Sequence, residues 1–146
     1  MTRLAFVAAA SLALACGNPH GMLPGGKLDG QLVTAPVDDW SFTHDAKTVQ
    51  LETRPDSPYS VNVWCVAKGA NLWVSAGRDS NKWANNMLAE PRVRVRVGER
   101  LYERKAVRVT DAEEIEIVKS LYEEKYDWKR DPDDKTSRLL FRLDPR

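Results

Sequence analysis

Trp83-Ala-Asn-Asn-Met-Leu-Ala-Glu-Pro-Arg-Val-Arg-Val-Arg-Val97 carries two structural periods joined at a proline. The first half reads as a short helix. Pro91 stops it, because it disfavours helical geometry at Glu90 and its ring cannot continue the hydrogen-bond ladder. Beyond Pro91 the chain alternates strictly, with Val93, Val95 and Val97 on one face of a strand and Arg92, Arg94 and Arg96 on the other. A slip of one residue would bury three guanidinium groups, so the register is strongly specified. The valines face a core. The arginines face water, a partner or an anion, and a solvated sheet face is the plainest of the three.

Strand signals surround this stretch on both sides. Gln31 to Val37 reads as an edge strand or an extended lead-in, and Trp40 in Asp38-Asp-Trp-Ser-Phe42 as a core plug. Val49 and Leu51 alternate with polar neighbours in Thr48–Thr53, the mark of a half-buried strand, and Pro55 and Pro58 break it. Tyr59 to Ala67 is a second strand, turned by Lys68-Gly-Ala-Asn71 into a hairpin partner at Leu72–Ala76. Asp79 or Ser80 can cap the helix that begins near Lys82. After a turn at Gly98, Leu101–Val109 returns as a strand. Thr110 or Asp111 then caps an amphipathic helix whose Ile115, Val118, Leu121 and Tyr122 share a face. Asp127 to Thr136 is charged and loop-like, and Arg138–Leu143 closes the chain as a last strand. The expectation is a mainly β, α+β domain with one short inserted helix and one C-terminal amphipathic helix.

At 146 residues the chain is most simply one domain, and 22 basic against 21 acidic residues give it no basic excess. That balance argues against nucleic acid as a partner. His20 and His44 have no metal-ligand company, no cysteine cluster is present, and no nucleophile elbow appears. Metal and hydrolytic chemistry are therefore not expected.

The N-terminus has the layout of an export signal: Arg3, then an apolar run over Leu4–Ala15 interrupted only by Ser11. It is too short for a comfortable span, which needs about 20 residues. Leu12-Ala-Leu-Ala-Cys-Gly17 resembles the lipobox of bacterial lipoproteins, although Ala13 stands where that family favours leucine. The resemblance implies cleavage after residue 15, acylation of Cys16 and a lipid-anchored body, with Gly17 consistent with outer-membrane sorting toward the periplasm. Residues 1–15 are then the signal, 16–37 a lipidated tether and 38–146 the domain. From Gly17 to Gly30 the chain holds five of its eight glycines plus Pro19 and Pro24, so regular structure is not expected. A spacer is one reading, and packing of Pro24–Gly30 on the domain is the other. With Cys16 acylated, Cys65 has no partner in the chain and reads as a small core residue.

One anion site stands out. Arg78, Ser80 and Lys82 lie where a loop opens a helix, and the free amides there carry partial positive charge. Arg54, Ser57 and Ser60 sit in another turn that a barrel topology can bring alongside. Trp83 is a core ring or a ring against a ligand, and Asn85 and Asn86 can fix the helix to the sheet or bind a flat heterocycle.

Leu72-Trp-Val-Ser-Ala-Gly77, the loop, Lys82–Val95 and Ala106–Glu114 together resemble the split β-barrel flavin-binding proteins. The deazaflavin-dependent nitroreductase branch is most similar, with the pyridoxamine-phosphate-oxidase-like group as a wider relative. The likeness covers residues 46 to 144 and implies a six- to seven-stranded split β-barrel. It also implies an FMN or deazaflavin cofactor, oxidoreductase activity and a homodimer, with Arg54, Ser57, Ser75, Arg78, Ser80, Lys82 and Trp83 as the cofactor-binding set and no catalytic side chain. The chain departs from the branch at its Gly-Arg-x-Ser-Gly turn, represented by Thr53-Arg-Pro-Asp-Ser-Pro58, and at the Gly-Gly before its helix, replaced by Gly77-Arg-Asp-Ser80. The alternative is a cofactor-free envelope lipoprotein that binds a small ligand or a protein.

Overall fold

A computed structural model of the chain describes residues 17–77, 81–129 and 139–146. Their strands are β1 (Gln31–Val33), β2 (Val49–Thr53), β3 (Tyr59–Val63), β4 (Cys65–Lys68), β5 (Asn71–Ala76), β6 (Arg92–Val97), β7 (Arg100–Arg108) and β8 (Leu139–Pro145). The helices are α1 (Lys82–Ala89) and α2 (Ala112–Tyr126), with a 3-10 turn at Ser41–Thr43. One sheet runs in the order β3-β2-β6-β7-β8-β5-β4, antiparallel throughout, and β1 adds to β7 in parallel. The strands β3 and β4 stand at opposite ends of that order, yet only Trp64 separates them in sequence. The chain therefore bends at Trp64 and carries the sheet round on itself, which makes the curled, split-barrel architecture. The single strand expected over Tyr59–Ala67 is this bent pair.

The bend has a visible cause outside the run itself. Tyr126 stacks on Trp64 with centroids 4.4 Å apart and an interplanar angle of 5°, and the Tyr122 hydroxyl reaches the Trp64 carbonyl oxygen at 3.3 Å. The Cys65 amide donates to the Tyr126 hydroxyl at 3.0 Å. That hydroxyl lies 2.9 Å from the Lys47 oxygen and 3.0 Å from the Cys65 oxygen, and its one proton serves either. Lys125 Nζ adds hydrogen bonds to the Thr43 and Cys65 oxygens at 3.0 and 2.8 Å. The last turn of α2 thus grips the corner where the sheet changes direction.

Inside the curl, Leu51, Val93, Val95, Leu72, Val74, Phe141 and Leu143 pack with Trp40, which is fully buried as its plug position requires. Burying such side chains is the main driving force for the fold. The buried face of α1 (Trp83, Ala84, Met87) joins the same core. A second, smaller core lies on the outside of β4, β5 and β8, where Val66, Trp73 and Leu140 meet Val118 and Tyr122 of α2. Asp111 caps α2 by accepting from the Glu113 and Glu114 amides. Glu114 then ties the helix to the sheet through Trp73 Nε1 at 2.8 Å and Arg142 at 2.8 Å. Hydrogen bonds from Arg142 to Asp144 and Glu114 raise its pKa, so the guanidinium stays charged.

The arginine face of β6 is not simply wet. Arg94 makes a two-pronged pair with Glu52, at 2.9 and 2.7 Å, and Glu52 is almost wholly buried. The cover is the segment after Gly17. The Leu28 amide donates to Glu52 at 2.6 Å, Arg94 donates back to the Leu28 oxygen at 2.9 Å, and Leu28 is buried. Gly25 exchanges two backbone hydrogen bonds with Ser60, and Asn62 donates to the Gly21 oxygen at 2.9 Å. Of the two readings of this glycine-rich stretch, packing on the domain is the one realised. It forms a strap across the outside of β3, β2 and β6 that ends in β1. Arg92 pairs with Glu90, and Arg96 donates to Gln50.

One charge lies on the inner side. Arg104 alternates in phase with the buried Tyr102 and Ala106 and is itself 5% exposed. Its Nε donates to the Leu143 oxygen at 3.0 Å, and its guanidinium sits 5.2 Å from the Trp40 ring centroid. Burial pushes its pKa below the usual arginine value.

Candidate functional site

The turn between β2 and β3 starts with Arg54, which takes a left-handed backbone at φ 55°. A non-glycine residue there is uncommon and strained. The turn is closed by the Ser57 amide donating to the Arg54 oxygen at 2.9 Å. Its far side is Tyr59, paired across the hairpin with Thr53. The Thr53 hydroxyl donates to the Tyr59 oxygen at 3.1 Å and accepts from Asn86 Nδ2 of α1 at 2.9 Å. Asn86 thereby fixes the helix against the sheet, one of the two roles open to it. The same lock brings the first residue of α1 over the hairpin.

The result is a pair of cations on one ring. Lys82 Nζ lies 4.6 Å and the Arg54 guanidinium 5.6 Å from the Tyr59 ring centroid. Such contacts are worth about 0.5–1 kcal/mol each at exposed sites. Arg54 Nε is buried and has no hydrogen-bond partner, and among the described residues no carboxylate pairs with either cation. Two like charges converge beside a helix start, and one buried donor, Arg54 Nε, is unused. Asn81 precedes that helix and makes no side-chain cap bond to its first turn. An arrangement of this kind suits an anionic group such as a phosphate.

The expected cofactor set is only partly assembled here. Arg54 and Lys82 come together, and Ser57 is exposed in the Arg54 turn. Trp83 takes the core position, 9% exposed among the interior residues. Ser75 belongs elsewhere. It pairs with Leu140 and alternates with the inward Val74 and Ala76, so it faces the α2 side with Trp73. Arg78 and Ser80, like Cys16, lie outside the described residues. The sequence does not single out Tyr59, because its strand position gives no hint that Arg54 and the distant Lys82 share its ring; the hairpin register opposite Thr53 is the available signal. Cys65 is buried as expected, and burial raises its thiol pKa while Lys125, 3.7 Å from Sγ, opposes the shift. No group of histidine, cysteine and acidic residues suited to a metal is found among the described residues.

The curled sheet with its two helices is the architecture of the split-barrel flavin-binding superfamily. The chain belongs to the F420H(2)-dependent quinone reductase family, which matches residues 47–141. Among solved structures, a Listeria innocua protein described as a candidate pyridoxamine 5'-phosphate oxidase aligns with TM-score 0.59 at 16% identity, covering 72% of this chain and 88% of that one. A chain described as a domain-swapped dimer aligns with TM-score 0.57 at 24% identity over 68% and 81%. A FAD-binding protein of Mesorhizobium loti aligns with TM-score 0.51 at 18% identity over 70% and 82%. These identities speak for the fold alone. No curated protein matches the chain.

Proposed function

We propose that this protein is a flavin-type oxidoreductase of the deazaflavin kind, in which Arg54 and Lys82 hold the cofactor's phosphate. The observation that carries the reading is their convergence on Tyr59 with Arg54 Nε left unpartnered. Family membership supports the cofactor class. When bound, a flavin or deazaflavin supplies the hydride chemistry. The chain's own part is to bind and orient: two cations and the start of α1 face the anion, and the Asn86–Thr53–Tyr59 chain keeps hairpin and helix in register. The family's description names a quinone as the electron acceptor, and a quinone is the acceptor we assign. A homodimer is part of the proposal, supported by the domain-swapped dimer among the structural relatives. We also place the chain on the periplasmic face of the outer membrane through acylated Cys16, on the strength of the lipobox-like run ending at that residue.

Titration of the purified chain with FMN and with a deazaflavin tests the cofactor. Deazaflavin binding is expected, and Arg54→Ala or Lys82→Ala should each weaken it about ten- to a hundredfold, the worth of one hydrogen bond to a charged group. A chain that binds neither ligand overturns the enzyme reading and leaves the cofactor-free binding lipoprotein. That alternative draws on the missing glycines of the family's turn, replaced here by Thr53–Pro58. Cys16→Ser should move the protein from the membrane to the soluble fraction, and unchanged partitioning refutes acylation.

A further inference from the structure

The strap carries a feature that neither the barrel nor the cofactor reading uses. His20 and Leu23 close a two-residue hairpin turn through His20 N–H to Leu23 O at 3.1 Å and Leu23 N–H to His20 O at 2.9 Å. Gly21 takes the first corner at φ 56°, a conformation natural to glycine. Met22 takes the second corner and is 101% exposed, with Leu23 beside it 70% exposed. Isolated exposed apolar residues are ordinary, but two adjacent large ones held at a turn tip are not.

This tip is fixed to the body. Pro19 is buried, its oxygen lies 3.4 Å from Gln50 Nε2 and 3.5 Å from Asn62 Nδ2, and Asn62 also holds the Gly21 oxygen. On its other side Gly25 is locked to Ser60. The chain upstream is held close as well, because the Gly26 amide donates to the Gly17 oxygen at 2.9 Å. From Cys16 to Met22 the chain spans at most about 20 Å even when fully extended. No acidic residue occurs from Gly17 to Leu28, where Lys27 and His20 are the basic side chains.

We infer that Met22 and Leu23 form an apolar knuckle that seats in the lipid surface next to the anchor and fixes which side of the barrel faces the membrane. The inference rests on the anchored reading of Cys16. It commits to lipid as the occupant because the acylatable Cys16, the first residue left after cleavage, stands only six residues before Met22. With Gly17 tied to Gly26, the body stands on the membrane directly, with the outside of β3, β2 and β6 toward it, rather than the outside of β4, β5 and β8 that α2 covers.

The test adds a reporter tryptophan to the full acylated chain, in Met22→Trp and, as control, in Ser120→Trp on the exposed side of α2. The chains are reconstituted into phosphatidylethanolamine/phosphatidylglycerol vesicles with brominated acyl chains. The fluorescence added in Met22→Trp should be quenched by the brominated lipid several-fold more than that in Ser120→Trp, and protected from acrylamide. Adding Leu23→Asp should abolish the bromolipid quenching while co-flotation with vesicles stays unchanged. Equal acrylamide quenching of both reporters in a chain that still floats overturns the knuckle and leaves the anchor standing. Protection from both quenchers reports a protein covering the tip and also overturns it. Failure to float refutes the anchor and the knuckle together.

Discussion

Replacing Glu52 by alanine should release the strap. The Glu52 side chain is 4% exposed and accepts three hydrogen bonds, one from the Leu28 amide and two from Arg94. Breaking a fully buried pair by removing one partner costs about 3–5 kcal/mol, because the surviving charge stays desolvated. Here the Arg94 side chain keeps 20% exposure, so water reaches it and the cost falls. The orphaned Leu28 amide adds back about 1–3 kcal/mol. The expected loss is about 3 kcal/mol, a large share of the 5–15 kcal/mol typical of a domain. Urea unfolding followed by tryptophan fluorescence measures it, and hydrogen exchange at the Leu28 amide locates it. Glu52→Leu combined with Arg94→Met should cost less than the sum of the two single changes, since no unpaired charge remains. A loss under about 1 kcal/mol in Glu52→Ala, with Leu28 exchange unaltered, would show that something other than this clamp holds the strap.

Two further outcomes follow from the grip of α2. Burial pushes the Tyr126 phenol up to about 12, above its ordinary value near 10. Its protonated form is therefore favoured by folding, so the stability it lends is complete below pH 10 and lost as pH rises toward 12. Ultraviolet titration of phenolate should reveal a late component that Tyr126→Phe removes, and loss of no component in that variant refutes the assignment. Asp111→Ala strips the cap from the Glu113 and Glu114 amides and should destabilise the chain by about 1 kcal/mol in the same urea assay. Asp111→Asn should recover most of that loss, because its amide oxygen accepts from the same two amides.

Much of this fold is local. The strict alternation of Val93 and Val95 with arginine selects a strand and its buried face, because period-two geometry admits one register that keeps guanidinium groups out of the core. Pro91 ends α1, Asp111 starts α2, and Lys68–Asn71 turns a hairpin, each through backbone chemistry confined to a few residues. Arg54 and Lys82 could be singled out the same way, since a proline-flanked turn and a loop opening a helix announce themselves.

What each of those groups meets is a different matter. Nothing near Arg94 in sequence indicates that Glu52 and Leu28 will close on it, and a Gly/Pro-rich stretch looks identical whether it dangles or lies on a sheet. The bend at Trp64 interrupts an unbroken apolar run, and its cause, the Tyr122–Tyr126 end of α2, lies about sixty residues downstream. Likewise the parity of Ser75 is plain in the chain, while the burial of both faces of β5 depends on α2 covering the outer one. Sequence by itself determined the periods, stops and caps, because those energies are settled between neighbours along the backbone. Only the tertiary structure decided which cations share Tyr59, which acid clamps the strap and which apolar tip the fold leaves uncovered, because those contacts exist once distant segments are brought together.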